Sequence, residues 1–173
     1  MVGRRSQARR YAVLALYQWQ MSGLEPAEIG RQFLADPAWT DVVAESLRGH
    51  EGEGEPRGAA GSSYDRSLFQ GLLEGVPAQL GQLDSRLESV LDRPLGQITP
   101  VDLAILRLGV YELVNSPQVP FRVIINEAVE LAKEFGSSDD SHRYVNAVLD
   151  KIARRIRGAE RHSEHRAGSG ADG

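Results

Sequence analysis

Apolar residues recur along this chain at the spacing of a helical face, and no useful stretch alternates apolar with polar at period two. Ile124, Ala128, Leu131 and Phe135 stand at i, i+4, i+7 and i+11, and Ile125, Val129 and Ala132 widen the stripe. That pattern predicts an amphipathic helix packed on more than one neighbour. Gly136 reads as the left-handed residue that ends it, and Ser138, Asp139, Asp140 and Ser141 are each competent to cap the next helix. In that helix Val145, Val148, Leu149, Ile152 and Ile156 form the inward stripe. Tyr144, Ala147, Lys151 and Arg154 share another face, with Arg155 and Arg157 adjoining.

Upstream, Thr99-Pro100-x-Asp102 reads as a helix start with a cap, a proline at the first helical position and an acid at the third. The helix it opens, to about Asn115, is apolar nearly all round and should be the buried centre. Ala12, Leu16 and Trp19 mark a packed first helix, and shorter helices are predicted at Ala27–Leu34, Trp39–Leu47, Tyr64–Gly75 and Ala78–Leu91. Between them, Gly49–Ser63 collects five Gly with Glu, Pro and Ser, a composition that builds no core. The expectation is an all-α, compact single-domain bundle of about seven helices over residues 1–157. It includes a flexible loop at 49–63, and a disordered tail follows at 158–173.

Composition adds little to that picture until charge is located. The 173 residues are 41% hydrophobic and 25% charged, ordinary for a soluble globule of one domain. There is no Cys, so neither a disulfide framework nor a thiolate site is available, which fits a reducing compartment. The net charge of −4 hides a strong asymmetry: residues 1–10 carry +4, residues 151–166 carry +4, and residues 11–150 carry −11. Basic ends on an acidic body predict a polyanion for the ends and a basic partner for the body.

Candidate catalytic or cofactor chemistry is absent: no G-x-S-x-G, G-x-x-x-x-G-K-[ST] or G-x-G-x-x-G pattern occurs. Asp139-Asp140 could be a paired carboxylate, but their place before a helix favours capping. His162-x-x-His165 has metal-ligand spacing but lies in a tail without a scaffold. Arg9-Arg10 ahead of Tyr11–Tyr17 has the outline of an export signal, yet the apolar run is short and Gln18 and Gln20 interrupt it. Nothing approaches the length of a membrane span.

The basic segments carry the functional expectation. Arg4, Arg5, Arg9 and Arg10 either form a solvated helix end or bind phosphate. Arg5 and Arg9 lie one turn apart, placed to meet successive phosphates with planar forks. Tyr144 beside Lys151 offers an aromatic with a cation, the combination that binds single-stranded RNA. A half-buried core role for Tyr144 stays open.

VPFRVIINEAVELAKEFG followed by DDSHRYVNAVLDKI resembles the C-terminal signature of the NusB family of bacterial transcription antitermination factors. Arg5-x-x-x-Arg9 with AVLALYQWQ is similar to that family's arginine-rich first helix, and VDLAILRLGVYEL to its central helix. The likeness covers roughly residues 4–22, 64–76 and 100–153. Two departures stand out: the connector Gly136–Ser141 is a residue longer than the usual form, and Ser6 and Gln7 occupy a stretch often filled by cations.

The resemblance implies a non-enzymatic, cytoplasmic adaptor without a cofactor. It would bind boxA-like single-stranded RNA jointly with the ribosomal protein NusE, and help RNA polymerase read through terminators, notably in ribosomal RNA operons. It places Arg4, Arg5, Arg9, Arg10, Arg143, Tyr144 and Lys151 on the RNA surface, adds Tyr17 (which has a competing core role), and puts Asp102 at the NusE interface. A helix-dipole role for Asp102 is compatible with that. Two other readings are a homodimeric protein-interaction module and the RNA-binding appendage of an RNA cytosine methyltransferase; no nucleotide-binding β/α segment accompanies the latter within the 173 residues.

Overall fold

A computed structural model describes residues 3–48 and 63–158. The loop expected at 49–63 and the tail expected from 158 therefore lie, but for Ser63 and Gly158, outside the described residues, as do His162 and His165. Among the described residues the chain is all-α, with eight α-helices where about seven were expected. They are α1 Arg4–Ser22, α2 Pro26–Ala35, α3 Pro37–Arg48, α4 Arg66–Ala78, α5 Leu80–Glu88, α6 Pro100–Asn115, α7 Phe121–Phe135 and α8 Ser141–Ile156.

The near-continuous apolar surface of α6 puts it at the centre, as expected, with α1, α4, α5, α7 and α8 packed around it. Helix α1 is buried just as thoroughly: every residue from Gln7 to Leu16 is withdrawn from solvent. It has α2, α3, α4, α6 and α7 as neighbours. The stripe Ala12, Leu16, Trp19 understates this, because Val13, Leu14 and Ala15 are fully buried too. The outward face of α1 is covered by α2 and α3, so periodicity in α1 alone cannot reveal the burial.

Local chemistry sets the helix ends, with corrections. Helix α4 starts later than expected because the Asp65 carboxylate accepts from the Leu68 N–H at 3.0 Å, a cap. Thr99 occupies the cap position of α6 and Pro100 its first turn, but the Thr99 side chain makes no capping bond. Asp140 precedes α8 and likewise does not cap it with its side chain. Ser141 Oγ instead accepts from the Ser138 N–H at 3.1 Å.

Gly136 ends α7 with φ −56° and ψ 151°, not in the left-handed region. Glycine is needed there for space: a Cβ would strike the Ala132 carbonyl oxygen and the Ser141 Cβ. Neither can yield without moving backbone or the start of α8. Gly136→Ala should therefore destabilise the chain by roughly 1–3 kcal/mol, the usual cost of overpacking. An unchanged urea midpoint would show that the connector can move aside at little cost.

Candidate nucleic-acid interface

The basic start of α1 divides into two exposed and two buried arginines. Arg4 and Arg5 face solvent. Arg4 Nη2 donates to the Tyr64 carbonyl at 3.3 Å, and Arg5 approaches Asp65 at 3.8 Å with its side chain 53% exposed. Arg9 instead enters the core. Its Nε and Nη2 donate to the two Glu112 oxygens at 2.7 and 2.9 Å, a bidentate pair from which water is nearly excluded. Burial works against the Arg9 charge, but the bond to Glu112 and the charges of Glu112 and Glu127 outweigh it and raise its pKa.

Arg10 donates to Glu134 at 2.9 Å and lies over the Phe135 ring, 5.4 Å from its centroid. Arg48 shares that carboxylate and that ring, at 2.7 and 5.6 Å. The expected ladder of Arg5 and Arg9 meeting successive phosphates is not what the geometry provides. A guanidinium fork matches a carboxylate as well as a phosphate, and the carboxylates opposite Arg9 and Arg10 come from α6 and α7. Tyr17 is partly exposed and packs against the core.

Helix α8 presents the other half of the expected site. Arg143 is exposed, with Asp140 at 3.7 Å. Lys151 is exposed and has no hydrogen bond or ion pair among the described residues. Tyr144, Lys151 and Arg155 stand at i, i+7 and i+11, one line about 16 Å long on the helix surface. Arg155 is steadied by a 2.9 Å bond to Ser89 Oγ, whereas Arg154 turns aside to Asp150 at 2.8 Å. Arg157, expected beside this face, is buried and donates to the carbonyls of Leu113, Ser116 and Glu112 at 3.1, 2.8 and 3.3 Å, and to that of Val119.

Tyr144 is half-buried. It packs against the core, and its outer side is covered by the Arg93 guanidinium, 4.7 Å from the ring centroid. Its hydroxyl is occluded and has no hydrogen-bond partner. Burial raises the phenol pKa, with Arg93 opposing and Asp92 and Asp102 adding to the rise, so Tyr144 is neutral at ordinary pH. Arg93, on the segment after α5, is the residue that sequence reading missed. Tyr144 and Arg93 line a 290 Å³ cleft with Asp102, Ser137 and Ser141. Asp102, expected as an exposed contact at the start of α6, is only 7% exposed.

Direct packing of α1 on α8 is not what relates the two basic clusters. The principal neighbours of α8 are α5, α6 and α7, and α6 and α7 stand between it and α1. Arg5 lies beside Asn115 and Ser116 at the C-terminal end of α6, and Tyr144 beside Asp102 at its N-terminal end. Those ends are about 20 Å apart along the helix.

Among the described residues there is no metal-binding cluster of acids and histidines, and no helix is long and apolar enough to cross a membrane. The model of the NusB family matches residues 6–154. A transcription antitermination protein NusB from Nitrosococcus oceani is 41% identical over 160 residues, 92% of this chain and 92% of its own length. Another from Alkalilimnicola ehrlichii is 50% identical over 151 residues, 87% of this chain and 81% of its own. Among solved structures, T. maritima NusB superposes with a TM-score of 0.63 at 24% identity, covering 89% of this chain and 93% of its own. A NusB bound to NusE and dsRNA gives 0.63 at 22% identity, covering 90% and 99%. At those identities the two structures establish the fold.

Proposed function

This chain belongs to the NusB family of non-enzymatic transcription antitermination factors, and from that premise we propose how it works. It binds boxA-like single-stranded RNA together with the ribosomal protein NusE and joins the RNA polymerase antitermination complex in the cytoplasm, notably on ribosomal RNA operons. The observation that carries the RNA reading is the line Tyr144, Lys151, Arg155 on α8, with Arg93 over the Tyr144 ring. The Tyr144 ring backs the Arg93 guanidinium, whose plane is the platform offered to a base, and cations in line with it follow the backbone. Arg143 flanks that line, and Arg4 and Arg5 hold phosphates at the far end of α6. Arg9 and Arg10 serve from inside, by fixing the start of α1 against α6 and α7.

NusE is a basic ribosomal protein in this reading and meets the exposed acids of a body that carries −11 over residues 11–150. Asp102 is not among those acids, because its carboxylate faces its own chain. A footprint split between two patches makes few phosphate contacts, so affinity for RNA is modest without NusE.

Titration of the full chain with boxA-like RNA, with and without NusE, and with a duplex as comparison, tests this. With about four phosphates neutralised, the salt slope on single strands should be near −3. Tyr144→Ala should cost roughly 1–3 kcal/mol per stacked base and leave that slope nearly unchanged. Lys151→Ala with Arg155→Ala should flatten it by about 1–2 units. Salt-independent affinity, or a folded Tyr144→Ala chain with parental affinity, would remove the RNA surface from α8.

A further inference from the structure

We infer that Asp102 is a positioning residue for the RNA surface. It pins the α7–α8 connector and thereby the first turn of α8, which carries Arg143 and Tyr144. This rests on the reading of α8 as the RNA-binding helix.

Within the connector the backbone is held by the Gly136 N–H on the Ala132 carbonyl at 2.9 Å and the Ser141 N–H on the Ser138 carbonyl at 3.1 Å, both of them local bonds. Ser137, Ser138, Asp139 and Asp140 are all exposed, and the residue preceding α8 supplies no side-chain cap. From α6, however, the Asp102 carboxylate reaches across the cleft. Its Oδ1 accepts from the Ser137 N–H at 3.3 Å. Its Oδ2 accepts from Ser137 Oγ at 2.6 Å and from Ser141 Oγ at 3.1 Å. Ser141 Oγ in turn accepts from the Ser138 N–H. One carboxylate thus holds the entry to the connector, the first residue of α8 and, through Ser141, the backbone between them.

Three residues beyond Ser141 stands Tyr144, on the wall of the same cleft. The direction in which α8 leaves the connector decides where the Tyr144 ring and the Arg143 guanidinium point. Holding them before RNA arrives removes an ordering cost from binding. The carboxylate is also suited to its own place, in the first turn of α6 where the helix dipole favours negative charge.

Asp102→Ala removes all three bonds. Asp102→Asn keeps them in number, because its carbonyl oxygen can accept from the Ser137 N–H while its amide donates to the two hydroxyls. Ser137→Ala removes only the shortest bond, at an exposed site with no bearing on whether the core folds. Affinity for boxA-like RNA is measured by titration on the full chain, well below each variant's melting temperature.

Folded Asp102→Ala should bind roughly tenfold more weakly, with Ser137→Ala weakened in the same direction by less and Asp102→Asn close to the parent. The salt slope should stay the same in all three, since no cation is lost. The Asp102→Ala/Tyr144→Ala double variant should lose less affinity than the two single losses added together, because Asp102 acts in large part through the Tyr144 ring. A purely stabilising Asp102 would lower the melt and leave the affinity of folded protein untouched; that result overturns the inference, as does additivity in the double variant. If Asp102→Ala does not fold, parental affinity in Ser137→Ala overturns it and a loss at constant slope supports it. Should Tyr144→Ala alone retain full affinity, the α8 reading fails and this inference falls with it; every other negative outcome leaves that reading standing.

Discussion

Glu112→Ala should cost the fold about 3–5 kcal/mol, because it leaves the Arg9 guanidinium in the core with only the Glu127 carboxylate, 4.0 Å away, as counter-charge. The pair is bidentate and its side chains are 3% and 1% exposed, so water cannot step in for the lost carboxylate. Arg9→Ala should be comparably damaging, since it leaves the Glu112 carboxylate buried and unpaired. The double variant Arg9→Met/Glu112→Leu should be much milder than either single change, because two apolar side chains of similar volume carry no desolvation penalty. Urea unfolding with the slope held common across variants gives all three values.

The same series decides what Arg9 does for RNA. If Arg9 works by fixing α1 against α6, the double variant, once folded, should bind RNA with the parental salt slope. Arg5→Ala, by contrast, should flatten that slope by about one unit. An Arg9→Ala chain as stable as the parent, with a flattened slope, would return Arg9 to the phosphate-contacting role that sequence spacing assigned to it.

That reversal shows where sequence was informative and where it was not. The stripes of α7 and α8 were legible because each helix has one buried and one wet face, so a 3.6-residue period marks the inward side. The centrality of α6 was legible for the opposite reason, since apolar residues on every face leave no wet side. Family signature residues in the same tract brought in antitermination and RNA. Long-range charge pairing was not legible. Arg9 and Glu112 are 103 positions apart, and nothing local distinguishes a guanidinium that will meet a carboxylate from one left for a phosphate.

The candidate site shows the same division. Tyr144 and Lys151 could be placed together by helical spacing alone. Arg93 could not, because it comes from the segment after α5 and reaches Tyr144 only once α5 and α8 have docked. Asp102 was correctly located in the first turn of α6. Its burial could not be read, because the groups that cover it belong to a connector whose path depends on the packing of α7. The connector also explains Gly136: the signal was a glycine at a helix end, but its cause is crowding and not handedness.

Arg157→Ala should destabilise the chain by about 3 kcal/mol, although sequence places this residue beside a solvated basic face. The last carbonyls of a helix have no partner within it and must find one elsewhere when buried. At the end of α6 the Glu112 carbonyl already accepts from the Ser116 N–H and the Ser116 carbonyl from the Val119 N–H. The Arg157 guanidinium adds a bond to each, bonds the Leu113 carbonyl and, past the turn, that of Val119. One side chain from the end of α8 therefore closes the C-terminus of α6 and the approach to α7 together. A bond to a charged group contributes roughly 1.5–3 kcal/mol when made singly, and the set is not additive, because water reaches the more exposed carbonyls once the side chain is gone.

Arg157→Lys should recover only part of the loss, since a single ammonium cannot span carbonyls that a planar fork bridges. In a chain of this size the alanine variant should melt roughly 6–12 °C below the parent. Hydrogen exchange should rise first around residues 113–120, where the freed carbonyls lie, before it rises in α1. Its effect on RNA should follow the folded fraction, with the salt slope preserved. A variant that melts with the parent but flattens the slope would instead place Arg157 on the RNA surface with Lys151 and Arg155, and the Leu113 carbonyl would then have to be satisfied by water.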